Sequence, residues 1–264
     1  MKAWFQGVLL AFQFFSVLPV RRTLPMEHTQ LKGAMVSLPW VGLTAGGGAL
    51  SAAFLLDVYT PMSDGGIALA AMIISSVLTG GIHLDGWMDT GDAYFSYQSI
   101  VKRLEIMSDP RTGAFGVLSV LLLLAVRFLF LQETLHISFA AFASGLLVIP
   151  WFSRNILLYH FAWTPPAKQE GLCVWFQSAY EKKLLIISFL QNFILITFFM
   201  VGYHSLWIPV ILAFLSTLVL YGWMRRLSIQ SFGGITGDVL GAAVEGGETL
   251  LWIVWWISIL FVTA

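Results

Sequence analysis

Apolar residues run in long blocks along this chain, separated by short polar stretches, with no sustained alternation at a period of two. A helix needs about 20 apolar residues to cross a bilayer. Seven blocks fit or nearly fit that length: 33–56, 65–84, 113–131, 137–161, 184–201, 206–224 and 250–262, the last one short. All are predicted as helices, because a lone strand leaves its backbone unpaired in lipid. An earlier block, 4–20, is shorter, holds Gly7 and Gln13, and runs into Pro19 and then Arg21 and Arg22. A cleaved leader carries its positive charge ahead of the apolar run and a small-residue site behind it. This segment has the reverse order and reads as a retained helix in, or dipping into, the membrane interface. The expectation is an all-α, polytopic membrane bundle, a single domain over 1–264. Its parts are an N-terminal interfacial segment (1–32), a polar loop at 85–112 and a second polar island at 225–249.

Composition agrees. Of 264 residues, 58% are hydrophobic and 11% charged, against about 25% charged in soluble domains, and the mean hydropathy is +0.83. Zero net charge gives no reason to expect nucleic acid as a partner, and one cysteine, Cys173, excludes an internal disulfide. The basic residues are placed unevenly. Lys2, Arg21, Arg22 and Lys32 precede the first span; Lys102, Arg103 and Arg111 follow the second; Lys168, Lys182 and Lys183 follow the fourth; Arg225 and Arg226 follow the sixth. The alternate connections hold Asp57, Asp64 and Glu133 and no Lys or Arg. By the positive-inside rule, 85–112, 162–183 and 225–249 face the cytoplasm.

The second block ends in "TGGIHLDGWMDTGDAYFS", where a run without charge gives way to His83, Asp85, Asp89 and Asp92. The aspartates are spaced i, i+4, i+7, one face of a helix. Like charges so close to a low-dielectric boundary repel unless a cation sits among them or their pKa values rise. A hard divalent ion such as Mg²⁺, held by a few carboxylates plus substrate phosphates, suits such a set. Next comes "RLEIMSDPRTGAFG", with Glu105 and Asp109 beside Arg103 and Arg111, side chains suited to phosphate. Together the two stretches point to a phosphoryl or nucleotidyl substrate; the alternative is a solvated loop that merely ends the flanking spans. His83 either orients a phosphate, shuttles a proton or packs against its own helix. In "SFGGITGDVLGAAVEGGE", Thr236 or Asp238 can cap a helix, and Asp238 and Glu245 share a face. The glycines there read equally as a phosphate-approaching turn or as a helix break. Ser153 and Arg154 in the fourth span are functional candidates because arginine is expensive there. Arg127 in the third is either functional or paired with a neighbouring helix.

At these residues the chain resembles cobalamin synthase, the adenosylcobinamide-GDP ribazoletransferase family of membrane enzymes. The matching stretches are "FQFFSVLPV", "GGIHLDGWMDTGDAYFS", "RLEIMSDPRTGAFG", "SR" at 153 and 154, and "GGITGDVLGAAVE", in the family's order. Ala93 stands where glycine is usual and Pro110 where a small polar residue is usual; neither removes a carboxylate. The resemblance implies transfer of adenosylcobinamide phosphate from adenosylcobinamide-GDP to α-ribazole or its 5′-phosphate, with release of GMP and a requirement for Mg²⁺. On that basis Asp85, Asp89, Asp92 and Asp109 would hold metal, and Asp109 or else His83 would accept the proton. Arg103, Glu105, Arg111, Ser153, Arg154, Thr236, Asp238 and Glu245 would contact substrate. Membrane lipid, a second copy of the chain or neighbouring cobalamin-assembly enzymes are the expected further partners. The aspartate spacing also looks like that of CDP-alcohol phosphotransferases. A cation transporter and a non-catalytic membrane scaffold are the competing classes. Against transport, the acids lie at one face of the membrane, and the apolar runs of the last two spans hold none.

Overall fold

The computed structural model describes residues 2–203 and 205–263. Among the described residues there are eleven helices and one isolated parallel bridge, Pro166 to Ile235. The helices are α1 (Lys2–Phe15), α2 (His28–Tyr59), α3 (Asp64–Leu78), α4 (Ile82–Phe95), α5 (Ile100–Ile106), α6 (Ala114–Ile137), α7 (Phe139–Trp163), α8 (Leu172–Ser178), α9 (Lys182–Gly202), α10 (Trp207–Phe232) and α11 (Gly237–Thr263). Six of them, α2, α6, α7, α9, α10 and α11, are long and apolar enough to cross a membrane, and α3 with α4, joined at a sharp bend, makes a seventh when the pair is counted as one span. The protein is a polytopic helical membrane bundle, as the apolar blocks predict.

Helix α7 forms the centre and packs on α2, α10 and α11. Its approach to α2 is backbone on backbone: a Cβ at Gly42 or Gly46 would overlap the main chain of Pro150 or Leu146. This is the small-residue contact by which helices associate in lipid, where hydrophobicity gives no preference for protein over acyl chains. Helix α1 has 14 residues, too few to span, and lies against α2 with Gly7 facing Gly33. The interfacial reading of the N-terminus fits that length.

The structure departs from the sequence pattern in two places, and both shape the site. The block at 65–84 is not one straight helix. It breaks at Thr79–Gly80–Gly81, and α4 leaves α3 at 91°. Gly80 and Gly81 adopt φ of +70° and +67°, a region open to glycine at little cost, and the Gly81 N–H closes α3 on Ser76 O at 3.1 Å. The stretch 85–112 is therefore mostly helix, α4 and α5, with a short connection before α6. The last block is also longer than its apolar run. Thr236 caps α11, accepting from Val239 N at 3.2 Å, so the polar island becomes the first half of a 27-residue helix.

That extension puts Glu245 and Glu248 inside the bundle, where the apolar run alone shows no acid. Both are buried and both are answered. Arg127 of α6 donates to Glu245 Oε2 at 2.6 Å, to Glu245 O at 2.8 Å and to Thr249 Oγ1 at 3.0 Å. Arg154 of α7 donates to Glu248 Oε1 at 2.8 Å and to Ser153 Oγ at 2.8 Å, and Arg127 also lies 3.7 Å from Glu248. Two arginines balance two glutamates across three helices. Removing one member leaves an uncompensated buried charge, which costs about 3–5 kcal/mol, whereas apolar replacement of a whole pair is often neutral. Arg127→Ala is expected to destabilise the detergent-solubilised protein by that amount, and Arg127→Met combined with Glu245→Leu to recover most of it. Equal losses in the two variants, read from unfolding curves, would show that the pairing is not what matters.

Candidate active site

Helix α4 lies across the beginning of α11 and the first turns of α6. Its contact with α11 has no room for side chains: a Cβ on Gly86 would sit 2.7 Å from Asp238 O, and one on Gly241 3.2 Å from His83 Cα. This brings Asp85 and Asp89 of α4 to the same end of the bundle as Asp238 of α11. Twelve of the fourteen Lys and Arg residues lie in the connections that the charge pattern assigns to that end. Among the described residues the Asp85 and Asp89 carboxylates have no hydrogen-bond or ion-pair partner. Partial burial, then the charges of Asp85, Asp238 and Asp92, push the Asp89 carboxyl up to about 6.

Asp92 does something different. Its carboxylate reaches α6 and accepts from Gly113 N at 2.5 Å and Gly116 N at 2.8 Å. It thus serves as the N-cap of a helix whose own cap residue, Gly113, has no side chain to offer. Glycine is needed at both places, because a Cβ at either would collide with the carboxylate. A negative group at a helix N-terminus also gains from the helix dipole. Capping and metal binding compete for the same two oxygens.

Asp109 is turned toward Arg111, which donates from Nε at 3.0 Å and Nη2 at 2.6 Å. Those bonds and the Arg111 N–H hold its carboxyl down at about 2. His83 is buried and stacked on Phe15, ring centroids 5.9 Å apart. Burial, and then the charge of Arg154, lower it to about 3. Arg103 lies over the Tyr94 ring at 5.4 Å and donates to Ser231 O at 3.1 Å, tying α5 to the end of α10. Glu105 is exposed and pairs with Lys102 at 2.8 Å. Thr236, besides capping α11, points its hydroxyl at Met107 Sδ, 3.3 Å away.

The predicted residues thus fall into three groups. Asp85, Asp89 and Asp238 share one face. Asp109, Arg111, Arg103, Glu105 and Thr236 line the α5–α6 edge around it. Ser153, Arg154 and Glu245 sit deeper, in the ion-pair network. Among the described residues no three His, Cys, Asp or Glu side chains converge closely enough to hold a metal ion unaided. Glu248 is not singled out by the sequence pattern, although it stands three residues from Glu245 on the same helical face. Two arginines inside otherwise uncharged spans already required two acids somewhere at the same depth.

A model of the family described as cobalamin-5-phosphate synthase matches residues 7–256. The chain belongs to that family. It is 37% identical over 257 residues to an adenosylcobinamide-GDP ribazoletransferase of Geobacillus sp. (strain WCH70), covering 97% of each chain. It is 32% identical to one of Halalkalibacterium halodurans over the full length of both. A relative of the same name from Acinetobacter baumannii is 33% identical over 92% of this chain and 93% of its own. No solved structure matches.

Replacing a capping carboxylate by alanine costs about 0.5–2 kcal/mol. Asp92→Ala is expected to lower stability by that amount, with Asp92→Asn in between because one acceptor oxygen remains. Thermal unfolding in detergent measures both; wild-type stability for Asp92→Ala would show that the two N–H bonds contribute nothing.

Proposed function

We propose that this chain is an adenosylcobinamide-GDP ribazoletransferase of the bacterial inner membrane, with its basic end and its acid face toward the cytoplasm. The observation that carries the reading is the joining of two family stretches, "HLDGWMDTGD" on α4 and "GDVLG" on α11, into one carboxylate face. The attacking oxygen is a hydroxyl of α-ribazole or its 5′-phosphate. It forms a bond to the phosphorus that carries the cobinamide arm, the phosphorus–oxygen bond to GMP breaks, and the hydroxyl proton passes to a carboxylate.

The donor set fits Mg²⁺. It consists of carboxylates that repel one another, Asp85 and Asp89 without a partner among the described residues and Asp238 accepting from Thr236 Oγ1 at 3.5 Å. They are too few to enclose an ion, and Mg²⁺ characteristically takes one or two protein carboxylates and completes its shell with water and substrate phosphate. Asp85 and Asp238 are the residues that would hold it, and the charge it supplies would offset that of the diphosphate and of departing GMP. Asp89 is within electrostatic reach of both carboxylates. A carboxyl near 6 is well matched to taking a proton at neutral pH, better than Asp109 near 2 or buried His83 near 3. Asp92 fixes the α4–α6 joint that aims these groups. Arg154 and Glu245 hold α11 in place from below, leaving Arg111 and Arg103 as the nearer arginines for phosphate oxygens.

Transport is disfavoured by the same structure. The acids at membrane depth, Glu245 and Glu248, are locked to arginines, and the cavity that touches Glu248 holds about one water, ≈ 20 Å³.

GMP release by purified protein given Mg²⁺, adenosylcobinamide-GDP and α-ribazole tests the reading. Asp85→Asn and Asp89→Asn are each expected to lose at least about 100-fold in turnover, the scale of removing one preorganised electrostatic group, with the protein still inserted and folded. Near-normal turnover in both would dismiss the acid face. Asp89 must be ionised to accept a proton, so turnover should fall about tenfold per pH unit below roughly pH 6. Mg²⁺ favours the ionised form, so that limb should move to lower pH as magnesium is raised. A profile flat from about pH 7.5 to 5 would assign the proton elsewhere, with Asp109 the next acceptor.

A further inference from the structure

The acid face has a cation beside it that the motifs do not include. Lys168 sits in the connection between α7 and α8, a segment fixed to the start of α11. Ala167 N donates to Ile235 O and Ile235 N to Pro165 O, both at 2.9 Å, forming the bridge between Pro166 and Ile235. Gly234 makes that possible: its φ is +152°, and a side chain there would overlap Pro165 O. Lys168 is one residue beyond this clamp and four from Thr164, whose N–H ends α7 on His160 O at 3.0 Å. The Lys168 stem is thus set by backbone hydrogen bonds that fix the loop leading into it.

Its ammonium is directed at the site. Nζ donates to Ser108 Oγ at 2.9 Å, the residue before Asp109, and it lies within electrostatic reach of the Asp238 carboxylate, as Asp85 does. Four of the other basic-end cations are already paired with carboxylates: Lys102 with Glu105, Lys32 and Lys183 with Glu181, Arg111 with Asp109. Lys168 has a hydroxyl partner, leaving two of its three N–H donors for a ligand. It links the α5–α6 edge to the first turn of α11.

We infer that Lys168 binds the diphosphate of the nucleotide substrate and so serves as the substrate-anchoring cation of this site. The inference rests on the proposed reaction for the identity of the diphosphate, not for the position of the lysine. An ammonium on a flexible stem acts as a point charge toward phosphate. It would hold the substrate equally before and during transfer, so its loss should appear in KM rather than in kcat.

The experiment is the concentration dependence of GMP release for Lys168→Ala, Lys168→Gln and Lys168→Arg, with unfolding temperature measured for each. Lys168→Gln keeps most of the stem and a donor for Ser108 while removing the charge. Each phosphate contact of a charged donor is stronger than a neutral one; Ala and Gln should therefore both raise KM for adenosylcobinamide-GDP at least about tenfold, with kcat within about threefold. Arg should restore most of the affinity, and Lys183→Ala, which removes a charge from the same end, should leave KM unchanged. An unaltered KM in Lys168→Gln overturns the inference, as does a loss in Lys183→Ala equal to that in Lys168→Ala. Protection against thermal unfolding by magnesium pyrophosphate separates this from the reaction itself. Protection that is present in wild type and absent in Lys168→Gln retains the lysine even if no GMP is released. Equal protection in both removes it even if the enzyme turns over normally.

Discussion

The site depends on one close contact, the α4 backbone lying on the first turns of α11. Gly86 against Asp238 and Gly241 against His83 leave no space for a Cβ, so the separation of the two helices is set by main chain. Everything chemical follows from that separation. Asp85 and Asp89 come from one helix and Asp238 from the other, and only at this distance do their charges form one field. The 91° turn after α3 is what permits it, because a helix continuing straight would carry the aspartates along the bundle axis, away from α11.

The charges of this protein are handled in two opposite ways. Inside the bundle they are balanced: Arg127 and Arg154 meet Glu245 and Glu248, and the low-dielectric surroundings make each member costly to lose. At the basic end they are left unbalanced, with Asp85 and Asp89 unpaired and Asp89 raised toward 6 by burial and by its neighbours. The first arrangement braces α6, α7 and α11. The second stores repulsion, which the proposed cation would relieve. Asp92 belongs to neither set, since its charge is given to the N-terminus of α6, which locks the α4–α6 corner next to the site.

The bundle was legible in the sequence because apolar blocks of span length are stable in lipid and costly in water, and the basic residues lie in alternate connections with only two exceptions. Those two, Arg127 and Arg154, are the ones that brace the core. The break after α3 and the early start of α11 were not legible from hydropathy. Both place polar residues on helices, and both are set by tertiary contacts: the glycine pair at 80 and 81 was visible, but not the surface that α4 turns to meet. At the site, spacing i, i+4, i+7 correctly put three aspartates on one helical face, but it could not divide them. Asp92 differs from Asp85 and Asp89 only because Gly113 and Gly116 come within reach of it. Likewise the stacking of His83 on Phe15 and the placement of Lys168 by the Ile235 clamp depend on contacts between distant parts of the chain.

The most direct test of the joint site is the magnesium dependence of GMP release in Asp238→Asn. Asp238 is far in sequence from the α4 aspartates and reaches them only through the helix contact. If α4 and α11 build one metal-binding face, the magnesium concentration for half-maximal turnover should rise at least roughly tenfold, the scale on which metal affinity answers to its surrounding groups. A magnesium dependence identical to that of the wild type would mean that α11 takes no part in holding the ion, and that the contact is packing alone.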